Sequence, residues 1–222
     1  ASIASVGFGL SAICIAIDHG WITRAQGQAR VLTTLNTFWT APQGSSPTGF
    51  IGYQGLFYHF LDMNTAVRTW DCELSTIDTA LLFAGIIDAR QYFTTSDPTD
   101  IQIVTLADNI LHRANWDIFR NFNPGLMMGW KPLNGFNGFG QWIGYNEAMI
   151  MYLIALGSPT HPVPYAAATN AWTHAWTPGY DWGTYYGYSF VTCQPLFTHQ
   201  YSHCWEDYRD TWDAYMQTNG IN

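Results

Sequence analysis

Ser75-Thr76-Ile77-Asp78-Thr79-Ala80-Leu81-Leu82-Phe83-Ala84-Gly85-Ile86-Ile87 is the stretch that decides the fold class of this 222-residue chain. Ile77, Leu81, Leu82, Ile86 and Ile87 recur at helical spacing, which predicts a helix from Ser75 to Phe93 with an apolar stripe facing a core. Ser75 and Asp78 precede that run with the S-x-x-[DE] spacing of a capping box, so Asp78 reads first as part of the cap. Upstream, Ser2 to Asp18 is apolar at almost every position, as in a helix buried on most of its surface, and Gly20 ends it. Thr23 offers a cap for a second helix reaching about Trp39, with Val31, Leu32, Leu35 and Phe38 in register. Ala41 to Gly49 reads as a loop. Short aromatic strands are expected at Phe50 to Tyr53 and Leu56 to Leu61, with Gly52 and Gly55 turning the chain.

Downstream, Pro98 opens a fourth helix to about Phe119, and a fifth is expected from Tyr145 to Leu156. Between them Gly125 to Gly144 is rich in Gly, Asn and Trp and reads as a hairpin or long loop. Pro159, Pro162 and Pro164 lead into a sixth helix near Ala166 to Trp176, and a seventh is expected from Ser202 to Gln217. The class is therefore all-α, with short β-hairpins in the loops. Helical hairpins wrapped around an axis would gather those loops at one end, where function resides. No fixed-period repeat supports a solenoid of identical units.

Composition narrows the function. Charged residues make up 11% and aromatics 17%, with eleven Trp, so polar surface must come from uncharged side chains. The rings either fill a large aromatic core or line a cleft and stack on the apolar faces of sugars; the second reading is favoured because Trp is rarely fully buried and its N–H seeks a partner. A net charge of −8 and a single lysine, Lys131, exclude a phosphate-backbone partner, so nucleic acid is not expected. No stretch has the length of a membrane span. Cys14, Cys72, Cys193 and Cys204 lack C-x-x-C spacing, which argues against a zinc ribbon or redox pair; Cys14 reads as an inert core thiol, and a Cys193–Cys204 bridge is open to an oxidising compartment.

Glu73, Glu147 and Glu206 are the three glutamates. Glu147 follows Gly144-Tyr145-Asn146 at the expected start of an apolar helix. The helix dipole would favour a carboxylate there, yet the same place projects it into the loop end beside Trp142, Tyr145 and Asn146. Apolar surroundings raise a carboxyl pKa, which suits a general acid for a glycosidic oxygen. A second cluster comprises Tyr58, His59, Asp62, Asp71, Glu73 and Asp78, interleaved with aromatics, and its polar groups suit sugar hydroxyls or an activated water. The third contains His199, Gln200, Tyr201, His203 and Glu206. His199, His203 and Glu206 would share a face of one continuous helix, but the glutamate is not between the histidines as in H-E-x-x-H, so Gln200, Tyr201 and His203 read as sugar-binding and no metal or cofactor is assigned. No G-x-S-x-G elbow, P-loop or G-x-G-x-x-G is present, and helix packing accounts for Gly7 and Gly9.

The ordered motifs Ala1 to Leu10, Phe57-Tyr58-His59-Phe60-Leu61-Asp62-Met63, Ser75 to Leu82, Tyr145-Asn146-Glu147, Ala155 to Pro162 and Pro195 to His203 resemble the bacterial glycoamylase-like glycoside hydrolases, a group that includes endo-β-1,2-glucanases and a domain of cyclic β-1,2-glucan synthases. The resemblance spans nearly the whole chain. It implies an (α/α)6 toroid with a cleft at one end, a secreted or periplasmic location, and inverting, endo-type hydrolysis of β-1,2-glucan. It places Glu147 as general acid, with the proton able to pass through a substrate hydroxyl. Asp62, Asp71, Glu73 and Asp78 fall in a region that lines the cleft. Family members continue well beyond the point matching Asn222, so about half of the barrel is expected in this chain, completed either by a C-terminal remainder that would also hold the general base or by a second chain. The other readings of the sequence are a non-catalytic sugar-binding or structural module, and a transglycosylase using the same acid.

Overall fold

A computed structural model describes residues 1–164, 182–193 and 195–212, with Gln217 and Gly220 besides. Among these residues there are five α-helices: α1 (Ile3–Asp18), α2 (Arg24–Thr40), α3 (Thr76–Tyr92), α4 (Pro98–Arg113) and α5 (Met149–Leu156). Three two-stranded antiparallel sheets join them: β1 (Gly52–Tyr53) with β2 (Leu56–Phe57), β3 (Leu74–Ser75) with β4 (Gly129–Trp130), and β5 (Trp182–Tyr185) with β6 (Tyr188–Val191).

α3 is the central element. Thr79 to Ile86 is buried at every position, because α1, α4, α5 and β2 enclose the helix on all sides rather than covering one stripe. For α1 the expectation fails in the opposite direction. Only Ile3, Gly7, Leu10 and Cys14 are buried, and Ile15 is 53% exposed. Their own apolar patterns rank the two helices the other way round, because such a pattern leaves out the neighbours that pack against each helix. The α1–α3 crossing is close enough that a Cβ on Gly7 would sit 2.1 Å from the Leu81 carbonyl oxygen. Only glycine fits there.

Local chemistry explains most boundaries. Thr23 and Gln26 form a reciprocal capping box at α2, with the Gln26 N–H donating to Thr23 Oγ1 at 3.2 Å and the Thr23 N–H to Gln26 Oε1 at 2.9 Å. The β1–β2 turn places Gln54 at φ 54° and Gly55 at φ 85°, the paired left-handed geometry of a tight hairpin. α4 stops at Arg113, short of the expected Phe119, because the Asn115 N–H leaves the helix to bond Gln54 O, while the Arg113 guanidinium bonds the Phe38 and Trp39 carbonyls at the end of α2. Asp117 to Arg120 is a separate 3-10 turn. The expected seventh helix is a 3-10 turn at Ser202–Cys204 followed by irregular chain to Trp212, and most of its remainder, like the expected sixth helix at Ala166 to Trp176, lies outside the described residues. The β5–β6 hairpin carried no sequence expectation; Tyr186 and Gly187 turn it with positive φ.

This arrangement positions the loops. β3 runs directly into α3 and pairs with β4, so the Gly125–Gly144 segment lies against the N-terminal end of the central helix. Isolated bridges Ser2–Phe60 and Tyr58–Leu74 draw the start of α1 and the chain after β2 to the same end. No helix among the described residues is long and apolar enough to cross a membrane.

Candidate functional site

His59 follows β2, and its N–H donates to Glu73 O at 2.9 Å, which fixes the ring beside the start of α3. Nδ1 lies 2.8 Å from Glu73 Oε1 and Nε2 lies 3.4 Å from Asp78 Oδ1. With a carboxylate oxygen at each ring nitrogen, imidazolium is the form that donates to both. Burial alone would lower the His59 pKa; the Glu73 hydrogen bond, then the charges of Asp78, Glu73 and Glu147, outweigh it and raise the value.

The three carboxyls divide by environment. Glu73 is held below its ordinary pKa chiefly by the bond to His59. Asp78 is pushed up, first by burial, although the Ser75 hydroxyl donates to its Oδ2 and His59 opposes the shift. Glu147 is raised by burial and then by the Asp78 charge, with His59 partly offsetting them. One acid is thus held ionised and two are biased toward keeping a proton, the division on which acid and base roles rest. Asp78 does more than cap the helix. The Ser75 hydroxyl accepts from the Asp78 N–H at 3.2 Å, but the Asp78 carboxylate bonds that same hydroxyl and faces His59, so one residue belongs to both helix start and acid cluster.

Glu147 does not occupy the first turn of α5. The helix begins at Met149 with Ala148 at the cap position, so Glu147 precedes it. Asn146 shapes this approach: its side-chain amide donates to Gly144 O at 2.9 Å and to Ile143 O at 3.2 Å, while its Oδ1 accepts from the Ala148 N–H at 2.9 Å. α5 lacks a local side-chain cap, and a distant residue supplies one. Ser202 Oγ accepts from the Ile150 N–H at 3.1 Å and donates to Glu147 O at 3.4 Å. Beside it, Tyr145 OH bonds His199 Nδ1 at 3.0 Å, and His199 Nε2 donates to Cys193 O at 2.8 Å. Trp142 Nε1 donates to the buried Thr76 Oγ1 at 3.1 Å, pinning the Gly-rich loop to α3.

The other sequence-nominated residues are dispersed. Tyr58 is fully buried under the Arg68 guanidinium, 5.0 Å from its ring centre, and burial pushes its hydroxyl up to about 12. Asp62 Oδ1 accepts from the Asn64 and Thr65 N–H groups at 2.9 Å each, so this carboxylate shapes a turn outside the cluster. Asp71 is exposed and is paired with Arg68 at 2.6 Å and Lys131 at 3.5 Å. Gln200 and His203 are exposed, His203 packing edge-on against Tyr208, while Tyr201 packs against Phe8 of α1. Cys193 and Cys204 are not bridged. No group of three or more His, Cys, Asp or Glu side chains among the described residues is placed to hold a metal ion.

From the sequence, Asp78 reads first as part of the helix cap, and Ser202 is not nominated. The S-x-x-D spacing of Asp78 fits a cap and an acid equally, and nothing in the neighbourhood of Ser202 signals contact with Glu147 more than fifty residues away.

Residues 140–222 match the sequence model of the Glycoamylase family, described as "Putative glucoamylase". The chain is 27% identical, over 96% of its own length and 32% of the relative's, to an exo β-1,2-glucooligosaccharide sophorohydrolase acting at the non-reducing end from Parabacteroides distasonis. Its fold is similar to that of a putative glucoamylase from Bacteroides uniformis, with TM-score 0.86 and 28% identity over 97% of this chain and 53% of the other. It also matches the fold of an endo-β-1,2-glucanase from Chitinophaga pinensis, with TM-score 0.81 and 24% identity over 91% of this chain and 49% of the other. The chain therefore spans about a third of the curated relative and about half of the solved structures.

Proposed function

From this likeness to glycoamylase-like glycoside hydrolases, we propose that the protein hydrolyses β-1,2-linked glucan, with Glu147 as general acid. The observation that carries the assignment is the environment of Glu147: a carboxyl whose pKa burial and the Asp78 charge raise, set at the loop end of the fold beside a hydrogen-bonded His59, Glu73 and Asp78 group. A proton-bearing carboxyl in a partly dry site can protonate a departing glycosidic oxygen, directly or through a substrate hydroxyl. Glu73 and the exposed Asp71 offer acceptors for sugar hydroxyls. An (α/α)6 toroid, endo-type attack, inversion at the anomeric carbon and an extracytoplasmic location belong to the same proposal, and the curated relative's name supports the linkage.

Glu147→Gln in the full-length protein tests it. Glutamine keeps shape and most hydrogen bonding but carries no acid proton, so turnover of soluble β-1,2-glucan should fall by at least about 100-fold while binding survives. A folded variant that keeps more than about a tenth of parental turnover sinks the assignment. Product sizing decides the mode of attack: a ladder of oligosaccharides supports endo cleavage, and release of disaccharide alone from the first minutes overturns it. Proton NMR of the first product anomer checks inversion.

A further inference from the structure

Trp21 and Trp70 are exposed to a similar degree, 73% and 79%. Trp21 stacks on His19 beyond the C-terminal end of α1, with ring centres 4.9 Å apart. Trp70 belongs to the other end: its neighbour in space, Phe60, bridges to Ser2 at the start of α1. A helix of 16 residues is about 24 Å long, so the two indoles serve well-separated surfaces.

The backbone at Trp70 is in the left-handed region, φ 57°, and Asp71 follows at φ 52°. That conformation is unfavourable for a bulky residue and persists only where the surroundings impose it. Arg68 imposes it here: its side chain is 4% exposed, Nε donates to Cys72 O at 2.6 Å, and Nη2 pairs with Asp71 at 2.6 Å. The Thr69 N–H donates to Phe60 O at 3.1 Å, and the Cys72 N–H to Thr69 O at 3.2 Å. The turn is thus anchored while the indole it carries is presented to solvent. The tight turn places a bulky residue in a backbone conformation unfavourable to it and leaves the indole 79% exposed, with Phe60 as its ring partner.

Ring geometry gives it a direction. The Trp70 ring lies 5.4 Å from Phe60, and Phe60 stacks on His59 at 3.9 Å and 15°. Three rings run from the exposed turn to the imidazole that bonds Glu73 and faces Asp78. An indole presents a flat apolar face with negative π density, complementary to the C–H face of a pyranose ring, and the Asp71 carboxylate beside it can accept from equatorial hydroxyls.

We propose that Trp70 is the floor of an outer sugar subsite, on which one glucose ring of the glucan lies while a linkage further along the chain occupies the acid cluster. The inference rests on the hydrolase reading and adds a residue that positions substrate without touching the reacting atoms. Its test compares Trp70→Ala, Trp70→Phe and Trp21→Ala with the parent in the full-length protein, using β-1,2-glucooligosaccharides of increasing length.

Loss of one stacking contact should raise KM for chains long enough to reach Trp70 by about 3- to 10-fold and leave kcat within about twofold. Trp70→Phe should recover part of the loss, and Trp21→Ala should match the parent. An unchanged KM for Trp70→Ala at every chain length overturns the subsite even where hydrolysis is normal. If the parent hydrolyses no β-glucan, the hydrolase reading fails, and intrinsic fluorescence titration with the same oligosaccharides decides the subsite: a saturable change that Trp70→Ala abolishes upholds it, and no change in the parent overturns it.

Discussion

Replacing Gly7 with alanine puts a methyl group where α3 already has backbone. The new Cβ would lie 2.1 Å from Leu81 O, 2.7 Å from Leu81 C and 2.8 Å from Leu82 Cα, against an ordinary contact of 3.4 Å or more. None of those atoms belongs to a side chain that can rotate away, so the helices must separate by about 1 Å or more. Overpacking of this kind costs about 1–3 kcal/mol, and a rigid backbone obstacle places Gly7 near the upper figure. Better helix propensity returns about 1 kcal/mol, leaving a net loss of about 2 kcal/mol and a melting temperature lower by about 4–8 °C. Gly9, two residues along the same helix, is the control. Nothing lies within 4 Å of its Cβ position, so Gly9→Ala gains about 0.5–1 kcal/mol and melts about 1–4 °C higher. Thermal melts followed by far-UV circular dichroism, checked by urea titration, measure both. The displacement should also reduce glucan turnover below the melting range, because the Ile3 N–H donates to His59 O and the Leu61 N–H to Ala1 O. A Gly7→Ala protein that melts at or above the parent refutes the close α1–α3 crossing.

His59→Gln removes the cation that opposes the upward shifts of Glu147 and Asp78. Both carboxyl pKa values then rise further. A general acid works while protonated and activity is lost as pH climbs through its pKa, so the alkaline limb of the kcat/KM profile should move to higher pH, with a lower maximum; a limb that stays in place or moves down contradicts the cluster. Ser202→Ala strands the Ile150 N–H and releases Glu147 O. The expected loss is about 1 kcal/mol, or about 2–4 °C in melting temperature, with kcat falling more than KM changes. Parental stability in that variant would show that Ser202 does not cap α5.

Signals carried by near neighbours in the chain were legible without coordinates. Thr23 and Gln26 sit three apart and cap α2 as a pair; Pro98 opens α4; Gly55 turns the first hairpin; the apolar period of Ile77 to Ile87 marks a helix. Each depends on backbone groups within a turn of the residue concerned, so spacing is enough to find it. The upward shift of the Glu147 pKa by burial was also legible in its apolar neighbours.

Tertiary structure decided what lies outside that range. Whether α1 or α3 is enclosed depends on which neighbours arrive, and only the crossing at Gly7 shows why glycine is required. The Tyr145–Ala148 segment is polar and helix-compatible by pattern, but Asn146 satisfies its own loop and delays α5 to Met149. The pairing of β3 with β4 brings residues more than fifty apart together, and with it the Gly-rich loop to the start of α3. Asp78 becomes a partner of His59 because the chain after β2 folds back across β3, a contact between residues nineteen apart that no periodicity records. Sequence alone thus determined where α2, α3 and α4 begin and which acids merit attention, because hydrogen bonds and burial patterns within one turn are local. Which acids share an electrostatic field was left to the packed chain, because Coulomb interactions and desolvation follow distance in space.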